Sequence, residues 1–148
     1  MPKTQWTALS KASNQMSETV DHVQLVLQII NLINSRYSHL EGLGLFCDCP
    51  AVLQTEKPSP IEGYFPDVFG STSPQTITLI GEAKTLPDLE SPRSFKQITA
   101  FLRFLKSRPN PNFIFAIPWR AKITATNIVS RIFEEQKINT VYVEYVTI

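Results

Sequence analysis

The residues best placed for chemistry are Asp67, in the dipeptide Pro66-Asp67, and Glu82 and Lys84, in the tripeptide Glu82-Ala83-Lys84. Glu82 and Lys84 close the run TITLIGEAK, whose apolar and β-branched residues predict a strand. Side chains alternate across a strand, so this i, i+2 pair lies on one face, about 7 Å apart along it. Pro66-Asp67 belongs to an earlier strand candidate, and the intervening loop lets the two strands pair as neighbours, which brings Asp67 to the same place. Two carboxylates and an ammonium then converge. Oxygen donors of this kind hold Mg²⁺, with Mn²⁺ able to substitute, while retaining several waters, and a nearby ammonium can orient or help deprotonate one of them. That chemistry cuts a phosphodiester. A surface ion pair at a strand end is the other reading of any Glu-x-Lys. Three features set this one apart: the apolar strand before it, the Pro-Asp one hairpin upstream and the basic amphipathic segment after it.

The elements that must position these residues can be read from periodicity. Residues 1–16 are polar and without apolar period, which predicts a loose tail, and residues 17–148 then form a single domain. A helix is expected from Ser17, with Glu18 and Asp21 in its first turn and Val20, Val23, Leu27, Ile30 and Ile33 along one apolar face. Gly42 and Gly44 end it, GLFCDCPAVL reads as a strand, and QTEKPSPIEG is a loop before a second strand, GYFPDVFG. After the loop STSPQ and the strand TITLIGEAK comes a polar loop, TLPDLESP, and then a helix from Arg93 to Ser107 with Phe95, Ile98, Phe101, Leu102 and Leu105 on one side. A strand NFIFAIP, a helix TATNIVSRIFEEQK and a strand NTVYVEYV complete an αβββαβαβ order. This predicts an α/β fold with a mixed central sheet flanked by helices.

Composition is consistent with such a domain. The chain has 148 residues, of which 43% are hydrophobic and 18% charged, enough to bury a core. No apolar run is long enough for a membrane span and the N-terminus lacks a secretory signal, so the expected location is the cytoplasm, with no membrane partner. Cys47 and Cys49 read as buried structural thiols, because His22 and His39 are poorly spaced to complete a zinc site. Neither histidine is expected near the carboxylates, and no nucleophile elbow, phosphate loop or dinucleotide fingerprint is present. Net charge is only +1, but residues 1–83 carry 4 basic against 8 acidic side chains while residues 84–122 carry 8 basic against 2 acidic. That asymmetry fits either a basic patch beside an acidic site or a solvated helix face.

On Asp67, Glu82 and Lys84, and on the element order around them, the chain resembles the PD-(D/E)xK nuclease superfamily, the restriction-endonuclease-like fold, over residues 17–146. The resemblance implies that Asp67 and Glu82 bind a divalent metal, with the Ala83 carbonyl as a further ligand, and that Lys84 assists the attacking water. It also implies a 5′-phosphate product. Gln97 matches the position at which many members carry a glutamine near the active site; otherwise it is an exposed helix residue. Some members place an acid of the first helix close to the metal, for which Glu18 and Asp21 are candidates, although first-turn acids also suit the helix dipole.

A nuclease must hold the phosphate backbone, and Arg93, Lys96, Arg103, Lys106, Arg120 and Lys122 are the candidate contacts. Trp119 could stack on a base or sit in a core or interface. Two functions are therefore expected in competition: a Mg²⁺-dependent endonuclease acting on DNA, or a partner-dependent or non-catalytic nucleic-acid-binding subunit with the same fold. A homodimer would suit duplex cleavage, which needs two cuts, and a protein partner would suit the subunit reading.

Overall fold

The computed structural model describes residues 13–49, 56–74 and 76–148. In chain order the elements are α1 (Ser13–Tyr37), β1 (Leu43–Cys47), β2 (Val68–Thr72), β3 (Thr78–Ala83), the one-turn α2 (Leu86–Leu89), α3 (Pro92–Lys106), β4 (Pro111–Ile117), a 3₁₀ turn (Trp119–Ala121), α4 (Lys122–Gln136) and β5 (Tyr142–Thr147). The strands form one mixed sheet in the order β1-β2-β3-β4-β5. β1, β2 and β3 pair antiparallel, whereas β4 and β5 run parallel to β3, each reached by a helical crossover. The α/β class with helices on both faces of a mixed sheet is as the sequence implies. No described helix is long and apolar enough to cross a membrane.

Alternation along the central strands divides the core in two. Leu79 and Ala83 of β3 and Ile114 and Ala116 of β4 face α1, where they bury Leu25, Val26, Ile29 and Ile33. Ile80, Phe113 and Phe115 face the other way, onto Ile98, Phe101, Leu102 and Leu105 of α3 and Ala125, Val129 and Ile132 of α4. Glu82 has the parity of Ile80, so the strand itself turns it towards α3. Cys47 and Cys49 are buried and free, as expected of structural thiols, and burial pushes the Cys47 thiol up to about 12.

Several boundaries differ from the sequence reading for identifiable reasons. α1 already includes Ser13–Met16, part of the expected tail, so Glu18 and Asp21 lie beyond its first turn and the helix-dipole explanation for them loses its premise. The rest of the expected tail, and residues 50–53 of the first strand candidate, lie outside the described residues. β2 begins at Val68 rather than Gly63. Pro66 has no N–H for the ladder and the Asp67 N–H is turned to Glu82 Oε1, 3.1 Å away, so regular pairing starts one residue later. Ile61 and Tyr64 instead close a two-residue hairpin with mutual backbone bonds of 2.7 and 3.0 Å, and Glu62 and Gly63 at its tip both take positive φ, 51° and 86°. Ser71 and Thr72, expected in a loop, belong to β2; the Thr72 hydroxyl accepts from the Thr76 and Ile77 amides and closes the turn behind them. The polar stretch after Lys84 contains α2, where the Thr85 hydroxyl donates to Asp88 Oδ2 at 2.9 Å.

At Gly81, the neighbour of Glu82, α1 packs closely on the sheet. A Cβ there would lie 2.6 Å from Ile29 Cγ2 and 3.2 Å from Val68 Cβ. Gly81→Ala should therefore cost about 1–3 kcal/mol by forcing helix and sheet apart. Adding Ile29→Ala should restore part of that loss, because the clashing methyl is removed. Urea titration of the single and double variants checks this; strictly additive losses would contradict it.

Candidate active site

Asp67 is held from four sides. Its carbonyl accepts from the Asp48 amide at 2.9 Å, and its own N–H donates to Glu82 Oε1 at 3.1 Å. Its Oδ2 accepts from the Ala83 amide at 2.8 Å, and its Oδ1 lies 3.1 Å from His22 Nε2 on α1. The hairpin before it is tied to α3 as well, since Arg103 pairs with Glu62 at 2.9 Å and the Arg93 guanidinium lies 5.3 Å from the centre of the Tyr64 ring. Asp67 is thus fixed between two helical layers at the edge where β2 begins and β3 ends.

Glu82 and Lys84 complete the cluster as their spacing implies. Glu82 is 1% exposed, and the Lys84 ammonium lies 3.2 Å from its Oε2 while donating to Gln97 Oε1 of α3 at 2.6 Å. Gln97 accordingly belongs to the site and holds the lysine. Ser91 at the N-cap of α3 accepts from the Ser94 amide at 3.2 Å, and Pro92 occupies the first turn, so the helix presenting Gln97 has a firmly fixed start. Asp67 and Lys84 are each 13% exposed, which leaves the cluster a narrow opening to solvent.

The electrostatics follow from two acids sharing one desolvated place. Burial and the negative charge of Asp67 push Glu82 well above the ordinary carboxylate range, against the pull of Lys84. For Asp67, burial acts upward but is outweighed by the His22 hydrogen bond, the contact with Glu82 and the Ala83 amide, so it titrates below its ordinary value. The hydrogen bond to Asp67 raises His22 against the effect of burial. The pair therefore carries one negative charge more readily than two.

His22 is a member of this site that sequence reasoning placed away from the carboxylates. The contact joins residues 45 apart in the chain, and no local pattern announces it. Of the first-helix acids, Asp21 is exposed and lines a cleft beside the site, and the side chain of Glu18 lies outside the described residues. The basic candidates divide. Arg103 is engaged with Glu62 and Gln136, and Lys106 donates to the Gln136 carbonyl at 2.9 Å. Lys106 lies nine residues beyond Gln97, about 13 Å further down the helix from the cluster. Arg93 faces the Tyr64 ring, while Lys96, Arg120 and Lys122 are exposed without an ion pair among the described residues. Arg120 and Lys122 follow β4, at the end of the sheet where β3 also finishes.

The donor set suits a small hard cation. Among the described residues no three His, Cys, Asp or Glu side chains converge as a ready-made cage, but two adjacent carboxyl groups and a main-chain carbonyl are the oxygen donors Mg²⁺ uses while keeping its waters. Continuing the β2–β3 register sets Pro66 opposite Ala83, and proline contributes no N–H to occupy the Ala83 carbonyl. The burial of Glu82 beside the Asp67 carboxylate, expressed as its raised pKa, is what a divalent cation would relieve. Comparison with protein-family models, curated proteins and solved structures gave no match, so the functional reading rests on this geometry.

The shifts fix a sign for stability. Because the Glu82 pKa is higher in the folded chain, the folded state keeps a proton the unfolded state loses, and this group lowers stability as pH rises from the ordinary carboxylate range through the raised value. The contribution of His22 is likewise lost as pH rises through its raised value, whereas that of Asp67 is lost as pH falls through its lowered one. Glu82→Gln should be more stable than wild type in EDTA, by a margin that grows with pH, and millimolar Mn²⁺ should raise Tm for the wild type only. Thermal melts across pH with EDTA or Mn²⁺ decide it. A Tm raised equally in both proteins would contradict the assignment.

Proposed function

We propose that the chain is a divalent-cation-dependent nuclease that hydrolyses phosphodiester bonds, with DNA as its substrate, and that its fold is the restriction-endonuclease-like one that its resemblance to the PD-(D/E)xK superfamily implies. The observation that carries the reading is the convergence of Asp67, Glu82 and Lys84, with Lys84 fixed by Gln97, at the end of a buried strand. The element order and the mixed sheet support it.

In this reading Asp67, Glu82 and the Ala83 carbonyl hold Mg²⁺, or Mn²⁺ in its place. When bound, the cation supplies Lewis acidity to a phosphoryl oxygen and makes water a stronger nucleophile near neutral pH. Lys84 does the rest of the local work. Its ammonium stands at the mouth of the cluster, held by Glu82 and Gln97, where it can hydrogen-bond the attacking water and offset charge as that water gives up its proton. The water oxygen bonds to phosphorus as the bond to the 3′ oxygen breaks, the water's proton passes to solvent and the 3′ oxygen takes one from solvent, giving a 5′-phosphate and a 3′-hydroxyl. His22 keeps the Asp67 carboxylate in one orientation. Lys96, Arg120 and Lys122 are free to contact phosphates, which offsets the repulsion between an acidic site and a polyanion.

The test is cleavage of supercoiled plasmid, linear duplex, single strand and a four-way junction with Mg²⁺, Mn²⁺ or EDTA. Asp67→Ala, Glu82→Ala and Lys84→Ala should each lower the cation-dependent rate by at least about a hundredfold, and Gln97→Ala by about tenfold, on the scale of losing one positioned catalytic group. DNA affinity should fall far less than rate. Cutting that survives Lys84→Ala unchanged would overturn the reading, and binding without any cutting would favour the non-catalytic or partner-dependent subunit.

A further inference from the structure

The 3₁₀ turn after β4 presents Trp119 to solvent at 69% exposure, and one turn along α4 Ile123 stands out at 78%. Together with Arg120, Lys122, Thr126 and Asn127 they line a shallow groove of about 550 Å³. The groove is firmly built. The Trp119 amide donates to the Ile148 carbonyl at 2.9 Å, the Ile148 amide returns to Ile117 at 3.3 Å, and Ala121 is wholly buried beneath the turn. The backbone that carries the indole is thus fixed while the ring itself lies outside the core, beside a second exposed apolar side chain.

We propose that this groove is a stacking platform for an unpaired nucleotide, so that the substrate of the proposed nuclease is single-stranded, or carries a single-stranded segment, beside the bond to be cut. The inference rests on the nuclease reading and deepens it by naming the substrate class. Charge selects a polyanion as the occupant: residues 91–133 contain no acidic side chain, and Arg120 and Lys122 flank the indole without an ion pair among the described residues. Position relates the platform to the site. The Lys84 amide bonds to the Ala116 carbonyl at 3.0 Å, and Trp119 is three residues further on, so their Cα atoms are separated by at most about 15 Å, a span that a short stretch of unpaired strand covers. Arg120 also borders the cleft of about 380 Å³ shared by Asp21, Thr85 and Leu86, immediately after Lys84. A duplex buries its base faces and shows only edges, whereas an unpaired base offers the π-face that an exposed indole and a neighbouring aliphatic side chain can cover.

The test is fluorescence anisotropy in EDTA, with a labelled oligo-dT of about twelve nucleotides and a blunt-ended linear duplex as probes. Trp119→Ala should weaken oligo-dT binding about tenfold or more, Trp119→Phe should retain most of it, and duplex binding should be the same in all three proteins. No oligo-dT binding by the wild type, an unchanged affinity in Trp119→Ala, or an equal loss on both probes would each overturn the platform. So would sedimentation showing that Trp119→Ala abolishes self-association without affecting oligo-dT. The two readings fail separately: stacking by a wild type that never cleaves contradicts only the nuclease, and cleavage of single strands unaffected by Trp119→Ala contradicts only the platform.

Discussion

Asp67 and Glu82 are set side by side by the antiparallel register of β2 and β3, in a place that water scarcely reaches, and their mutual repulsion governs what surrounds them. Two buried carboxylates at this separation cannot both be charged without compensation. The fold supplies partial compensation from three directions: His22 from α1, the Ala83 amide from the strand itself, and the Lys84 ammonium steadied by α3 through Gln97. The result is still one acid pushed up and one held down within a single desolvated place, an opposition that a divalent cation would relieve.

The rest of the architecture can be understood as the means of holding that pair. The central strands are apolar on both faces, so they must be covered twice, and the coverings are the helices that carry His22 and Gln97. Gly81 lets α1 approach closely one residue before Glu82. The hairpin at Ile61–Tyr64 is anchored to α3 by Arg103 and Arg93, which explains why these cations, read from the sequence as phosphate contacts, have partners within the protein. Because β3, β4 and β5 run parallel, their ends, the starts of α3 and α4 and the exposed Trp119 turn gather at one end of the sheet, where open α/β sheets place their ligands.

Much of this was legible in the sequence, and what was not has physical reasons. The β-branched run before Glu82 and the periodic segment from Arg93 are strong local signals, and the run was enough to put Glu82 and Lys84 on one face, whereas Gln97 was named only through the resemblance. The start of β2 was misplaced because GYFPDVFG has the aromatic and β-branched content of a strand, whereas Glu62 accepts a left-handed conformation that sequence rules reserve for asparagine and glycine. The buried face of α1 is broader than the expected one: Ile30 and Ile33 are buried as predicted, Val23 packs against the same core, and Leu25, Val26 and Ile29 join them. His22 was invisible for a stronger reason: its role depends on the orientation of a whole helix against a strand edge 45 residues away. The capping pair Thr85 and Asp88, by contrast, was present in the sequence as a helix-start signal inside a stretch read as loop.

The central claim is that the Asp67–Glu82 pair is a cation site. Anomalous diffraction from crystals soaked in Mn²⁺ addresses it without reference to any substrate. The account requires one strong peak within coordination distance of both carboxyl groups and the Ala83 carbonyl, with the Lys84 ammonium outside that distance and still bound to Gln97. Manganese found only elsewhere, with Asp67 and Glu82 still bonded to each other and to Lys84 at saturating concentration, would contradict it.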